Sequence, residues 1–361
     1  MTSETLRSSP SPDILIVAPW LQGGGGQGAL AGILRELPRE RLRLLVLFND
    51  NRKTDSVTDL VEESIFLNLP RNPLGVIRAA RQIHPYLRQA SSIYSLMRGS
   101  HLVLGLLPRH RLRRTRFAAT FHQLPSQDSS SARGRIEDHL VRRATRSAGL
   151  VTAPSPRAVD EIVSFRFAAE GTAKFEPNSI SLQPAVNPTP RKGKLASVRL
   201  LLAGRLSAQK GIDRIPELLR SCPTPVTIRI AGEGEHEEAI AEWARQDFLP
   251  HLVEYVGHVN DLTEQLDWCD AAFLPSRWEL NPLVVWEAWS RGRPVLSSSL
   301  PVFEDLKKSG PVLTFGSGDQ FASWIDDLQS ELLRLQLTDA ATAATVSARS
   351  ERHYIADFLR G

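Results

Sequence analysis

Short apolar runs punctuate the chain, and between them apolar positions return every three or four residues. Ile14–Ala18, Leu44–Phe48, Leu102–Gly105, Phe117–Phe121 and Gly149–Ala153 are near-continuous apolar runs, the form taken by strands buried on both faces. Ala29–Leu37, Leu74–Leu87 and Ile136–Thr145 carry helical spacing in the intervals. The pattern then restarts. Val198–Ala203, Val226–Ala231, Val253–Val256, Ala271–Leu274 and Pro294–Ser297 read as strands, with helices at Ile212–Leu219 and Glu237–Ala244. Strand and helix alternating twice over predict an α/β fold with parallel sheets, in two Rossmann-like domains facing a cleft.

The joint between the halves is legible. Residues 184–194, PAVNPTPRKGK, gather three prolines and three basic residues, the composition of a linker. The expected boundaries are a disordered tail at 1–12, a first domain at 13–186, a linker at 187–197 and a second domain at 198–344. Ser347–Leu359 looks helical, and the segment 345–361 is expected to pack back on the first domain. A chain of 361 residues exceeds one ordinary core and suits two. No repeat at periods of 20–50 residues appears.

Composition narrows the class. With 42% hydrophobic and 23% charged residues, packed cores are expected. The run Ile14–Val17 is too short for a signal peptide or a membrane span, and no later run approaches 18 residues. Cys222 and Cys269 have no metal-ligand spacing, which points to a reducing cytoplasm. The net charge of +4 is unevenly spread: residues 1–194 hold 28 Lys+Arg against 16 Asp+Glu, and residues 195–361 hold 16 against 24. A basic first half suggests an anionic partner there, and Arg109, Arg111, Arg113, Arg114 and Arg116 form its densest cluster. Aromatics do not interleave with them, which makes nucleic acid the weaker anionic candidate. A solvated loop, a small anionic metabolite, a cell-surface glycan and peripheral contact with an anionic membrane all stay open.

Four motifs carry candidate chemistry. In LLAGRLSAQKGIDRI, Gly204 lets a buried strand turn and brings Arg205 and Lys210 to the sheet edge, where a guanidinium fork and an ammonium suit phosphate. AGEGE follows the next strand, and Gly232 and Gly234 permit a base edge or ribose to pass, or a tight turn and nothing more. In WELNPLVVWEAW, Asn281-Pro282 places Glu279 on a loop, a helix starting near Pro282 and Glu287 about one turn inside it. Two acceptor-only groups there suit the vicinal hydroxyls of sugars. PWLQGGGGQGAL sets four glycines beside a helix start, a site for phosphate or a sugar hydroxyl. Gly23, Gly25 and Gly28 with Asp50 also fit a dinucleotide fingerprint, but Pro19–Gln22 separate strand from glycines where that fingerprint turns at once. His122 follows its strand directly and can hydrogen-bond a sugar. Asn178 of PNSI either caps a turn or lines the interdomain floor. Asp270 is read as ordering a turn, and Trp278, Trp286 and Trp289 as packing residues. No serine triad, zinc pattern or P-loop is present.

In their order and spacing, the Gly23–Gly28 loop, His122, PNSI, GRLSAQKG, AGEGE and Glu279/Glu287 followed by EAWSRGRPVL resemble the family 4 retaining glycosyltransferases, which adopt the GT-B fold. The resemblance covers about the whole chain and is more specific in the second half. It implies that Arg205 and Lys210 bind a donor pyrophosphate, Glu287 holds the ribose hydroxyls and Glu279 faces the donor sugar. His122 would contact the transferred sugar, and the Gly25 and Gly26 amides its phosphate or the acceptor. Gly204, Gly232, Gly234, Asn281 and Leu283 would line the donor site. It further implies transfer of a hexose from a UDP- or GDP-sugar to a glycan, lipid-linked or small-molecule acceptor, with no metal or other cofactor and with the anomeric configuration kept. Two alternatives use the same residues: a sugar-nucleotide isomerase or phosphorylase, and a non-catalytic sugar-nucleotide binding subunit. Three departures stand out: Pro282 offers no N–H where the family has a glycine-containing stretch, Gln123 replaces an acidic residue after His122, and PNSI replaces PNG.

Overall fold

Strands that are apolar at every position need cover on both faces, and a computed structural model of the chain supplies it. The structure describes residues 12–21, 25–49, 55–128, 132–178, 182–243, 249–349 and 354–361. They fall into two units: Met1–Ser179 with Arg352–Gly361, and Ile180–Glu351. The predicted tail at 1–12 lies almost entirely outside the described residues, as do Gly23, Asp50, Ser179 and Ile180.

The first unit holds β1 (Ile14–Ala18), β2 (Leu42–Phe48), β3 (Glu63–Leu69), β4 (Ser92–Leu96), β5 (Arg116–Thr120), β6 (Leu150–Ala153) and β7 (Ala173–Phe175). Its sheet is parallel in the order β3-β2-β1-β4-β5-β6-β7. Ile16 pairs with Leu44 on one side and Tyr94 on the other. The second unit holds β8 (Val198–Ala203), β9 (Val226–Ala231), β10 (Leu252–Gly257), β11 (Ala271–Leu274), β12 (Val295–Ser298) and β13 (Val312–Phe315), parallel in the order β10-β9-β8-β11-β12-β13. In each sheet the chain winds outward for three strands, then returns to the other side of the first. A crevice at the C-terminal ends of the strands flanking that reversal is where ligands gather in such sheets.

Alternation along β8 shows how both faces are filled. Leu200 and Leu202 join Ile228, Ile230, Phe273 and Phe315 on one face. Leu201 and Ala203 join Ala272, Leu274, Trp286 and Trp289 on the other. Each such side chain contributes about 1.5–3 kcal/mol on full burial. In the first unit, Leu30 and Leu34 of the helix Gly25–Arg35 and Ile355 and Leu359 of the helix Tyr354–Arg360 pack in one cluster with Ile16, Leu44 and Tyr94.

Several expectations are corrected. Leu102–Gly105 is not a strand but the end of a helix, Met97–Gly105. The strand is Ser92–Leu96, whose two serines broke the apolar pattern. Gly105 stays bare because a Cβ there would lie 2.1 Å from the carbonyl oxygen of Leu140, in a closely packed neighbouring helix. A continuous apolar run does not distinguish a buried strand from a buried helix. The helix expected over Leu74–Leu87 is two, Pro73–Gln82 and His84–Gln89, the second admitting Pro85 in its first turn. Asn72 caps the first by accepting from the Gly75 amide at 2.9 Å. The expected Ser347–Leu359 helix is likewise divided: a helix Glu331–Arg349 and a separate one, Tyr354–Arg360. The edge strands β3, β7 and β13 carried too little pattern to be read.

Glu176, just past β7, is buried and accepts from the Ile355 amide at 3.3 and 3.1 Å through its two carboxylate oxygens. Burial pushes this carboxyl up to about 8 against the pull of that amide, and Glu36 and Asp357 add to the rise. A carboxyl that holds its proton more tightly in the folded state gives stability that is complete below its unfolded value of 4.5 and is lost as pH rises through about 8. Glu176→Gln should therefore shrink the fall in melting temperature between pH 5 and pH 8 by several degrees. An unchanged slope in thermal unfolding of the variant would contradict the assignment.

Candidate functional site

In the second unit the strand reversal lies between β8 and β11, and the loops that follow them carry most of the sequence candidates. Gly204 ends β8 at φ +138°, and a Cβ there would press on Lys210, 3.3 Å from its Cε. Gly232 ends β9 at φ +142°, and its Cβ would lie 1.9 Å from the Gly204 carbonyl oxygen. The two loops also exchange backbone bonds, with the Gly204 amide on Ala231 O at 3.0 Å and the Leu206 amide on Glu233 O at 2.8 Å. Gly234 lies against the Leu206 carbonyl, and its amide donates to Glu237 Oε1 at 2.7 Å. Only glycine tolerates this backbone and this approach.

The β8 loop is fastened to the β11 loop as firmly. Gly211, at φ +63°, fits under the Pro275 carbonyl, where a Cβ would be 2.1 Å away. The Arg277 amide donates to Gln209 O at 2.8 Å, and its guanidinium forks onto Asp213 at 2.7 and 2.6 Å. That hydrogen-bonded pair holds the Asp213 carboxyl below its ordinary range. Lys210 Nζ then donates to Glu279 Oε1 at 2.6 Å, with side chains only 17% and 6% exposed. Ser276 Oγ donates to the same oxygen at 2.9 Å, and Gln209 Nε2 to Oε2 at 3.4 Å. Glu279 is thus a satisfied carboxylate that fixes a lysine at a glycine-lined edge. Arg205 is exposed one residue after Gly204.

Glu287 lies on the helix Leu283–Ser290, whose N-cap is Pro282, so the loop-then-helix reading of this segment holds. Leu283 is the first residue of that helix. Burial and the charge of Asp261 push the Glu287 carboxyl up to about 7. The Asn281 side-chain oxygen accepts from Trp286 Nε1 at 2.8 Å, which shapes the turn. Trp286 and Trp289 pack edge to face at 5.0 Å, as expected of packing residues. Trp278 is less well covered, at 45% exposed. Asp270, read as ordering a turn, instead ties remote segments together, accepting from the Arg199 amide of β8 at 2.8 Å and from Arg191 at 2.9 Å.

In the first unit the reversal lies between β1 and β4. Gly25 and Gly26 are not an open loop: they form the first described turn of the helix Gly25–Arg35, which extends four residues upstream of the predicted start. A Cβ at Gly26 would touch Met97 at 3.8 Å and the His122 ring at 4.0 Å, so these three meet at the C-terminal ends of β1, β4 and β5. Met97 holds φ +59°, a strained value for its type, and no signal in the sequence marked it. Burial pushes His122 down to about 4, and its Nε2 is buried with no partner among the described residues. His101 is buried too, packed on Phe121 at 4.8 Å with its Nε2 on Ser95 O at 3.2 Å. Asn178 is half-buried at the end of a described segment.

Residues 192–341 match the family model for Glycosyl transferases group 1. That span lies in the second unit and includes Gly204, Lys210, Glu279 and Glu287. The glycogen synthase of Mycobacterium tuberculosis is 34% identical over 116 residues, 30% of this chain and 28% of that protein. AmsD of Erwinia amylovora, an amylovoran biosynthesis glycosyltransferase, is 26% identical over 147 residues, 40% of this chain and 42% of its own length. The chain therefore spans well under two thirds of these relatives. Among solved structures, Anabaena HepE in complex with UDP-glucose matches with a TM-score of 0.74 at 19% identity, covering 96% of this chain and 97% of that one. This likeness shows the fold, two parallel-sheet α/β domains of the GT-B type.

The glycine contacts give a direct test. Gly232→Ala sets a methyl into the Gly204 carbonyl at a disallowed φ, at a cost of roughly 1–3 kcal/mol for the strain alone. Urea unfolding should show that loss, and a variant as stable as the wild type would refute the close packing of the two loops.

Proposed function

We propose that the chain is a retaining, metal-independent glycosyltransferase of the family 4 kind, moving a hexose from a nucleoside-diphosphate sugar to a glycan, lipid-linked or small-molecule acceptor. The observation that carries this reading is the Lys210–Glu279 pair, set beside Gly204, Gly232 and Gly234 at the strand reversal of a unit with group 1 glycosyltransferase sequence. UDP is the favoured donor base, since the similar HepE was solved with UDP-glucose.

In the proposed reaction Arg205 and Lys210 neutralise the diphosphate as it leaves. Glu287 accepts hydrogen bonds from the ribose hydroxyls, and Glu279 faces the donor sugar while holding Lys210. The bond from the anomeric carbon to the β-phosphate oxygen breaks and a bond to the acceptor oxygen forms on the same face. The acceptor proton passes to the departing phosphate oxygen. No carboxylate is assigned as a covalent nucleophile. His122, kept neutral by burial and with no partner for Nε2 among the described residues, offers one hydrogen bond to the transferred sugar. The protein's work is positioning and stabilisation of diphosphate charge. We place the chain in the cytoplasm; among the described residues no helix is long and apolar enough to cross a membrane.

Glu287→Ala should weaken UDP binding by roughly 10- to 150-fold, the range for a lost hydrogen bond to a charged group. Arg205→Ala should chiefly slow transfer, by about 100-fold or more. Full activity in both variants would reject the assignment, and conversion of donor without acceptor would mark an isomerase. Since the carboxyl of Glu287 stands near 7, its ionised form increases from pH 6 to pH 8. Affinity for UDP should rise over that range by up to about tenfold more in the wild type than in Glu287→Gln. Parallel profiles would remove Glu287 from the binding site.

A further inference from the structure

The arginine cluster of the first half forms part of a cavity that sugar transfer does not use. It occupies about 660 Å³, and its wall includes Arg41, Arg113, Arg114, Arg116 and Arg360 with Asp13 as its acid. Asp13 precedes β1 and Arg116 opens β5, so the cavity lies at the N-terminal edge of the sheet. Gly26, Met97 and His122 lie at the other edge. At about 3.3 Å per residue, the length of β1 separates the two by roughly 16 Å.

The acid is already spent. Arg41 forks onto Asp13 at 2.8 and 2.9 Å, and Ser91 Oγ donates to the same carboxylate. Arg360 is paired with Asp357 of its own helix at 3.3 Å and donates to the Glu36 carbonyl. Arg113, Arg114 and Arg116 are exposed, and among the described residues none has an acidic partner. Converging guanidinium groups repel one another, and a multiply charged anion relieves that repulsion through forked hydrogen bonds. The volume exceeds the needs of a single phosphate. No aromatic ring lines the wall for a base to stack on, which disfavours nucleic acid.

We propose that this cavity binds a ligand carrying two or more phosphates, at a site separate from the candidate site for sugar transfer. Its occupant is either a soluble polyphosphate or the phosphate-bearing headgroups of a membrane. The site is independent of the glycosyltransferase reading, and the test keeps the two apart by working in an Arg205→Ala, Lys210→Ala background. In that background the full chain should bind tripolyphosphate at one site in isothermal titration, with affinity that falls as salt rises. Adding Arg113→Ala, Arg114→Ala and Arg116→Ala should weaken binding tenfold or more at unchanged melting temperature. Absent binding in the background, or equal affinity with the three arginines removed, would overturn the proposal. Vesicles of phosphatidylglycerol and of phosphatidylcholine separate the sources. Sedimentation with the anionic vesicles alone, competed by tripolyphosphate, assigns a lipid headgroup. Tripolyphosphate binding without vesicle binding assigns a soluble ligand. Vesicle binding that survives loss of the three arginines would again overturn it.

Discussion

The second unit's candidate site depends on one ion pair. Lys210 and Glu279 come from loops almost seventy residues apart in sequence, yet their charged ends are 2.6 Å from each other with little access to water. Burying two charges is expensive, and attraction repays it only when the geometry is good and the remaining valences are filled. Here they are: Ser276 and Gln209 complete the carboxylate, while the Arg277–Asp213 fork and the Gly211–Pro275 approach hold the two loops together. In the proposed reaction, a lysine restrained this way needs little reorganisation to meet a diphosphate, which is the condition for strong electrostatic stabilisation of a leaving group.

Parallel sheets explain why the site lies where it does. All strands in a unit end at the same edge, so loops that are remote in sequence converge there, and the reversal in winding opens a gap between them. The first unit repeats the scheme with different chemistry. Gly26, the strained Met97 and the neutral His122 meet at the reversal between β1 and β4. At the opposite edge, Arg41, Arg113, Arg114, Arg116 and Arg360 gather around Asp13.

Much of this was legible in the sequence because strands buried on both faces leave continuous apolar runs, and glycines at strand ends mark the turns. The β8 strand with Gly204 and Lys210, and the Glu279 loop before a helix at Pro282, were readable for that reason. What escaped was set by tertiary context. Ser92 and Ser95 disguised β4, while the fully apolar Leu102–Gly105 belonged to a helix packed on another helix. The glycine run was read as an open loop, but Gly25 and Gly26 are helical. Nothing in the residue type of Met97 announces its positive φ, and the occupation of Glu279 by Lys210 follows only from the pairing of β8 with β11.

The central claim is that Lys210 and Glu279 act as one unit in binding a nucleoside diphosphate. A double-mutant cycle tests it most directly, with UDP affinity measured by titration for Lys210→Met, Glu279→Gln and the pair together. The account predicts strong coupling, with the double variant losing at least 1 kcal/mol less than the two single losses combined. Losses that simply add would contradict it.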